Sequence, residues 1–155
     1  MTIHQSAAAA SVPMSDKAFV WPHTVTFRET NVMGNVYFAR QFDWQGECRE
    51  MFLKSHCPGV VSELAAGLRL ITLNANAEFF GELLAFDDIE LRMRLGFVQQ
   101  NRIGLRFDTV KKSGDGWSLA ARGAQDIACM RLRGGALEPT LLPTDLMQAL
   151  IPYGA

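Results

Sequence analysis

The chain has 155 residues, 48% of them hydrophobic, and a formal net charge of −1. Its length suits a single globular domain that buries roughly 70% of the surface of the unfolded chain. The near-neutral charge argues against a nucleic-acid-binding protein, which needs a basic excess to release counterions from phosphates. Three cysteines, with no pairing framework, favour a reduced cytoplasmic protein over a secreted one, and no uncharged apolar run approaches the ~20 residues that span a bilayer.

The first predicted feature is an N-terminal leader. Residues 1 to about 17 contain an Ala-rich run but no basic leading region, which argues against a signal peptide. We therefore expect residues 1–17 to form a disordered leader and residues 18–155 to form one domain.

Hydrophobic periodicity predicts one strand, one long helix and four further strands. Alternating side chains predict the first strand within residues 19–28, and apolar residues at helical spacing predict a helix of about 20 residues from Val36 to His56, ended by Cys57-Pro58-Gly59. Alternation then predicts four strands, within 70–80, 89–97, 103–111 and 117–131. The chain enters the last strand through the turn at 113–116, and Gly134-Gly135 ends that strand. A short helix over 145–150 is predicted to follow, with Thr144 as its cap.

One helix rich in aromatic residues needs a sheet wrapped around it. The element order therefore predicts an α+β fold: a single hotdog domain with a five-stranded antiparallel sheet around one long central helix.

A polar segment leads into the predicted helix. Glu29-Thr30-Asn31 and Gly34-Asn35-Val36 are rich in residues that favour turns and caps, so an exposed helix N-terminus with free N–H donors is expected here. Such donors bind an anion or a developing oxyanion. On the sequence alone, the amide of Asn31 fits either a turn or a catalytic role.

The motifs in and around this segment resemble those of the hotdog-fold thioesterases of the 4-hydroxybenzoyl-CoA thioesterase-like superfamily, and more narrowly those of the enediyne polyketide thioesterases. The resemblance runs from about Trp21 to Pro143. It rests on Glu29-Thr30-Asn31, Gly34-Asn35-Val36-Tyr37-Phe38, Trp44-Gln45-Gly46, Cys48-Arg49-Glu50 and Ala77-Glu78-Phe79-Phe80.

The resemblance implies which residues carry the chemistry. The broad group usually has an aspartate where this chain has Asn31, whereas the enediyne group is similar in having asparagine there and an arginine matching Arg49. The resemblance implies hydrolysis of a polyunsaturated β-ketoacyl thioester from the acyl carrier protein of an iterative polyketide synthase, and it leaves open whether decarboxylation to a methyl ketone follows. Asn31 would orient water or the carbonyl, Arg49 would hold the carboxylate, and the N–H groups of Gly34, Asn35 and Val36 would form the oxyanion hole.

Substrate contacts are expected from Tyr37, Gln41 and Thr72. Relatives tend to have tyrosine at the position of Gln41 and a basic residue at that of Asp43, so the pocket of this chain should differ. Arg49 lies 13 residues beyond Val36, about 20 Å along a continuous helix, so we expect a second protomer to bring the two ends of the site together. The family implies a homodimer or a dimer of dimers.

Charge is distributed unevenly along the chain. Residues 91–133 contain nine Lys or Arg and three acids, a local net of +6 that leaves −7 elsewhere. These basic residues fit either solvated strand faces or a docking patch for the carrier protein, with Arg92, Arg94 and Arg106 as candidates.

Several alternatives stay open on the sequence alone. A salt bridge to Glu50 is the structural alternative for Arg49, and Glu47 and Glu50 are weaker candidates for a general base. An acyl-CoA thioesterase and a non-catalytic acyl-binding module are the alternative functions. No metal-ligand spacing, cofactor motif or cysteine–histidine nucleophile pair is apparent.

Overall fold

The computed structural model describes residues 17–154. The predicted leader lies outside the described residues except for Lys17. The strands are β1 (Phe19–Thr24), β2 (Leu68–Phe79), β3 (Asp88–Gln99), β4 (Arg102–Ser113), β5 (Gly116–Arg133) and β6 (Ala136–Pro139). The helices are α1 (Arg40–His56), α2 (Pro58–Ala65) and α3 (Thr144–Leu150), with 3-10 turns at Phe27–Glu29 and Ile151–Tyr153.

The strands form one antiparallel sheet in the order β1-β3-β4-β5-β2, with β6 paired to β5. The single α+β hotdog domain is therefore confirmed. The sheet has six strands, however, and not five. Gly134 and Gly135 both have positive φ, at 55° and 81°, which suits a tight hairpin turn, so the chain returns along β5 as β6 where the sequence predicted an end.

Helix α1 packs on one face of the sheet through an apolar stripe. Trp44, Cys48 and Phe52 recur every four residues and are at most 1% exposed, and they share one core cluster with Leu91 and Phe107 of the sheet. The predicted end of this helix at His56 is confirmed. Its beginning is not, because the structure starts the helix at Arg40, four residues after Val36.

Non-local pairing explains the later start. Val36 bridges Thr30 and Asn35 bridges Leu84, so both residues belong to an extended segment held by neighbouring chain. Gly34, at φ 89°, closes the turn between them and Asn31.

Strand β2 contains a β-bulge between Thr72 and Asn74. Thr72 precedes the bulge, shares the phase of the buried Leu68 and faces α1, and the bulge shifts the alternation only beyond Thr72. The uniform alternation predicted over 70–80, which puts Thr72 on the polar phase, is therefore wrong in this part of the strand. One smaller prediction also changes, because Pro143, not Thr144, occupies the cap position of α3.

Candidate active site

The loop before α1 is closed on itself by hydrogen bonds. The backbone N–H of Asn31 donates to the carbonyl of Asn35 (2.8 Å), and the N–H of Gly34 donates to the carbonyl of Asn31 (2.9 Å). The side-chain Oδ1 of Asn31 accepts from the N–H of Met33 (2.9 Å), which is an Asx turn. This turn engages the oxygen of the Asn31 amide and leaves its NH₂ as the end available to a substrate carbonyl or a water.

The loop's free N–H donors differ from those predicted. The N–H of Gly34 is used within the loop, and the N–H of Val36 donates to the carbonyl of Leu83 (2.8 Å). Within residues 17–154, no acceptor is assigned to the N–H groups of Asn35, Phe38 and Ala39. Of the three predicted donors, Asn35 alone is left free, and the other free donors, Phe38 and Ala39, lie about one turn further along the chain because the helix itself begins later.

A cavity of about 430 Å³ adjoins these donors. It is lined by Asn35, Val36, Phe38 and Gln41 on one side, and by residues 79–83 on the other. Oδ1 of Asn35 is buried and has no hydrogen-bond partner among the described residues, so a polar atom there is left for a bound molecule. Tyr37, predicted to bind substrate, is 45% exposed beside this cavity, with its ring 4.8 Å from that of Phe38.

A row of polar side chains follows the buried face of α1. Gln41 and Gln45 are 3% and 2% exposed, and Arg49 follows one turn later, so the three side chains lie above one another. Oε1 of Gln41 accepts from Oγ1 of Thr109 (2.8 Å). Nε2 of Gln45 donates to the backbone carbonyl of Asn76 (3.1 Å).

Arg49 joins α1 to the sheet through neutral acceptors. Its Nη1 donates to Oγ1 of Thr72 (2.9 Å) and to Oε1 of Gln125 (3.0 Å). Burial lowers the pKa of Arg49, while the nearby charge of Glu50 raises it. No carboxylate within residues 17–154 forms an ion pair with Arg49, so the alternative of a salt bridge to Glu50 or another acid of the helix is not formed.

The structure thus divides the predicted site into two parts. Asn35, Val36 and Gln41 line one cavity, whereas Arg49 and Thr72 meet further along the helix. Nine residues of α1 separate Arg40 from Arg49, about 13 Å of helix. None of the hydrogen bonds of Arg49 reaches the loop of Asn31.

A buried acid in the same loop was missed by the sequence reasoning. The carboxylate of Glu29 accepts from Nε1 of Trp44 (2.6 Å), from the N–H of Thr26 (2.9 Å) and pairs with Nε2 of His23 (2.8 Å). Burial raises the pKa of Glu29, but the hydrogen bonds of these partners outweigh burial and leave the pKa below its ordinary value. Glu29 therefore anchors the loop to α1 as a stable carboxylate.

Comparison with known proteins decides the family. The thioesterase-like superfamily matches residues 25–150, most of the chain. The chain belongs to this superfamily. As a thioesterase it is a thioester hydrolase, and this confirms the enzyme class that the motifs predict.

Solved structures agree with the assignment. The dynemicin thioesterase, whose structures concern polyene binding, is 46% identical over 90% of this chain and 99% of its own, with a TM-score of 0.86. A 1,4-dihydroxy-2-naphthoyl-CoA thioesterase from Synechocystis is 20% identical over 86% of this chain and 96% of its own, with a TM-score of 0.73, and shares the fold. So does a mutant 4-hydroxybenzoyl-CoA thioesterase in complex with 4-hydroxybenzoyl-CoA, at 16% identity over 86% and 98% and a TM-score of 0.73. No curated protein matches the chain.

The three arginines predicted to dock a carrier protein lie on the outer face of the thioesterase sheet. Arg92 is 6% exposed, pairs with Glu90 (3.1 Å) and lies 5.4 Å from the ring centre of Trp117, so it is not available to a partner. Arg94 is largely buried and pairs with Asp108 (3.5 Å). Of the three predicted arginines, only Arg106 is both exposed and without an ion pair to any described residue.

An outer depression of about 420 Å³ surrounds Arg106. Arg94 and Arg122 also line it, and Arg122, 57% exposed, pairs with Asp108 (2.8 Å). The three predicted docking residues therefore narrow to Arg106, which lies beside the exposed but ion-paired Arg122.

The remaining polar candidates lie elsewhere on the thioesterase. Glu47 and Glu50 are exposed and line a separate polar cavity of about 720 Å³ on the outer side of α1. Within residues 17–154, no group of three His, Cys, Asp or Glu side chains is placed to hold a metal ion. Among the helices of the described chain, none combines the length and apolarity required to cross a bilayer.

Proposed function

We propose that this thioesterase hydrolyses a polyunsaturated β-ketoacyl thioester held on the acyl carrier protein of an iterative polyketide synthase of the enediyne type. The observation that carries the proposal is the state of Arg49. Its guanidinium is partly buried, hydrogen-bonded to Thr72 and Gln125, and paired with no carboxylate of the described chain. A buried cation without a counter-ion is costly, so the position suits the carboxylate of a β-keto acid product.

The hydrolytic step needs no carboxylate at position 31 if the substrate itself is reactive. The second carbonyl of a β-ketoacyl group withdraws electrons from the thioester, so water adds to its carbonyl carbon with less help from a base. The C–S bond then breaks, and the carrier thiol leaves with a proton. We assign the free NH₂ of Asn31 to orienting the carbonyl or the water.

The oxyanion hole is assigned to Asn35, Phe38 and Ala39, in place of Gly34 and Val36. Their N–H groups have no assigned acceptor among the described residues, Asn35 and Phe38 line the 430 Å³ cavity, and Ala39 follows directly at the entrance of α1. Losing one such donor typically costs about 10²–10³ in rate. Arg49 would hold the carboxyl group of the β-keto acid until it leaves. As the C–C bond breaks and CO₂ departs, the carboxyl proton passes to the ketone oxygen, and the resulting enol becomes the methyl ketone.

The functional unit is proposed to be a homodimer, or a dimer of dimers. Within residues 17–154, strand β2 pairs with β5 alone, which leaves the other edge of this 12-residue strand without a partner strand from the described chain, and Leu73 at its bulge is 46% exposed. Long open edges are normally covered in native proteins. Pairing of two β2 edges would place Thr72 and Arg49 of one protomer near the loop of the other. The three free cysteines are buried, which fits a cytoplasmic enzyme.

The test compares thioesters that carry the same acyl chain on three different thiols. Purified protein is incubated with β-ketoacyl and saturated chains on carrier protein, on CoA and on a short thiol mimic, while released thiol and product mass are followed. We expect fastest release from the β-ketoacyl carrier protein and a methyl ketone product. Equal rates with CoA would favour an acyl-CoA thioesterase, and tight binding without thiol release would favour an acyl-binding module.

Variants connect this activity to the two named residues. Arg49→Ala and Asn31→Ala should each lower kcat without unfolding the protein. Arg69→Ala is the matched control, because Nη1 of Arg69 also donates only to neutral acceptors, the carbonyls of Leu64 and Leu68. Full activity of Arg49→Ala or of Asn31→Ala would remove that residue from the proposed mechanism.

Docking is tested by reversing one exposed charge. Arg106→Glu should slow hydrolysis from carrier protein far more than hydrolysis from the thiol mimic. Equal losses on both substrates would remove the docking role.

A further inference from the structure

We propose that Gln125 and Gln45 are positioning residues that hold the guanidinium of Arg49 through a chain of amide hydrogen bonds anchored at the backbone carbonyl of Asn76. The inference rests on the proposed function only for the role of Arg49 toward substrate. The chain of contacts stands on its own geometry: Asn76 to Gln45 (3.1 Å), Gln45 to Gln125 (3.2 Å) and Gln125 to Arg49 (3.0 Å).

One carbonyl sets the direction of the whole chain. A backbone oxygen only accepts, so the end of Gln45 that faces Asn76 is its NH₂. The oxygen of Gln45 then faces Gln125 and accepts from its NH₂. The oxygen of Gln125 is left to face Arg49, which only donates. Turning either amide would set two donors or two acceptors against each other, so the acceptor offered to Arg49 is fixed.

Burial keeps this chain from exchanging with water. Gln45 is 2% exposed and Gln125 is 5% exposed, so neither amide has solvent as an alternative partner. Gly123 makes the approach possible, since a Cβ there would lie 2.2 Å from Nε2 of Gln45. Thr72 provides the second acceptor of Arg49, but its hydroxyl rotates freely and serves as donor or acceptor.

The hydrogen bond between Gln125 and Arg49 explains why an amide suits position 125. A carboxylate in place of Gln125 would also accept from Arg49, but it would neutralise the guanidinium and could not donate to Gln45. The amide orients the cation and leaves its charge for the substrate. Gln125 is therefore expected to act through Arg49 and not on the substrate directly.

The first experiment observes the guanidinium without substrate. In the ¹⁵N-labelled protein, side-chain NMR resonances of Arg49 should show slow rotation about Nε–Cζ. Gln125→Leu should bring them into faster exchange, whereas the resonances of Arg69 should not change. Asn101→Ala is the control for lost stability, because Nδ2 of Asn101 also donates to a single carbonyl, that of Cys129 (2.9 Å). Unchanged Arg49 resonances in Gln125→Leu would overturn the proposal.

The second experiment is a kinetic cycle. Gln125→Leu should lower kcat/KM by about 10²-fold in the native background, the cost of misplacing a group by about 1 Å. In the Arg49→Ala background its effect should shrink to roughly twofold, because its partner is gone. Equal losses in both backgrounds would overturn the positioning role.

A third variant separates position from charge. Gln125→Glu should keep the Arg49 resonances in slow exchange and yet lower kcat/KM, since the ion pair consumes the charge. Retained activity with this variant would contradict the argument for an amide. Full activity of Arg49→Ala would overturn only the proposed role of Arg49 toward substrate, and the resonances would still decide whether Gln125 holds the guanidinium.

Discussion

Gly123→Ala is the smallest change that should disturb the contacts of Arg49. Gly123 lies on β5 beneath the side chain of Gln45. An added Cβ would lie 2.2 Å from Nε2 of Gln45 and 2.5 Å from the backbone oxygen of Asn76, where ordinary contact begins at 3.4 Å. Because the carbonyl belongs to paired backbone, Gln45 must withdraw by about 1 Å and release it.

The expected cost has two parts. Overpacking of a full interior costs about 1–3 kcal/mol, and each buried polar group that loses its partner costs about 1–3 kcal/mol. We expect the free energy of unfolding to fall by about 3–5 kcal/mol. For a chain of this size the melting temperature should then fall by about 6–20 °C.

The assay is thermal and chemical unfolding followed by circular dichroism, with thioester hydrolysis measured in parallel. Gly46→Ala in α1 is the matched control, because a Cβ there meets nothing within 4 Å. It should stabilise the helix by about 0.5–1 kcal/mol. The double variant Gly123→Ala with Gln45→Ala should lose less than the sum of the two single losses, because the colliding amide is gone. Additive losses, or native melting of Gly123→Ala, would refute the reasoning.

Three further predictions follow from other parts of the structure. The folded-state pKa of Glu29 is lowered, so its contribution to stability is present at neutral pH and lost as the pH falls below about 4.5. The free energy of unfolding of Glu29→Gln should therefore fall less steeply with acid pH than that of the native protein. Parallel curves of unfolding free energy against pH for the two proteins would contradict this. Burial raises the pKa of the Cys48 thiol to about 12, so Cys48 should resist alkylation at pH 8 until the protein unfolds, as peptide mapping would show. Leu73→Arg should yield monomers in light scattering, because it places a charge on the β2 edge. The control Leu141→Arg should remain dimeric, because Leu141 is 88% exposed and is not part of that edge. Dimers of both variants would exclude the β2 edge as the interface.

The sequence predicted the fold because local periodicity carries it. The apolar stripe of Trp44, Cys48 and Phe52 has the period of a helix, and the strands alternate with few interruptions. The errors arise where a distant partner decides. Asn35 and Val36 look like a helix start, but bridges to Leu84 and Thr30 hold them extended. Thr72 has the polar phase that uniform alternation predicts, yet it shares the phase of the buried Leu68 and faces α1, because the alternation changes phase at the bulge that follows it.

The three arginines predicted to dock a carrier protein show a different limit of prediction from sequence. Alternation places Arg92, Arg94 and Arg106 on one face of the sheet, and this is correct. Their availability depends on neighbouring acids. Glu90 shares the phase of Arg92 and is visible in the sequence, whereas Asp108 reaches Arg94 only through the pairing of β3 with β4.

The glutamines of α1 and β5 carried a signal that periodicity alone could have revealed. Gln45 adjoins the buried Trp44, and Gln125 shares the inward phase of Gly123 and Ile127, so both amides stand where an apolar side chain is expected. A buried amide persists only if a partner satisfies it, and the two are 80 residues apart in sequence. The sequence can thus indicate that each glutamine has a buried partner. Only the packing of α1 on the sheet identifies that partner and shows that the two buried amides together support Arg49.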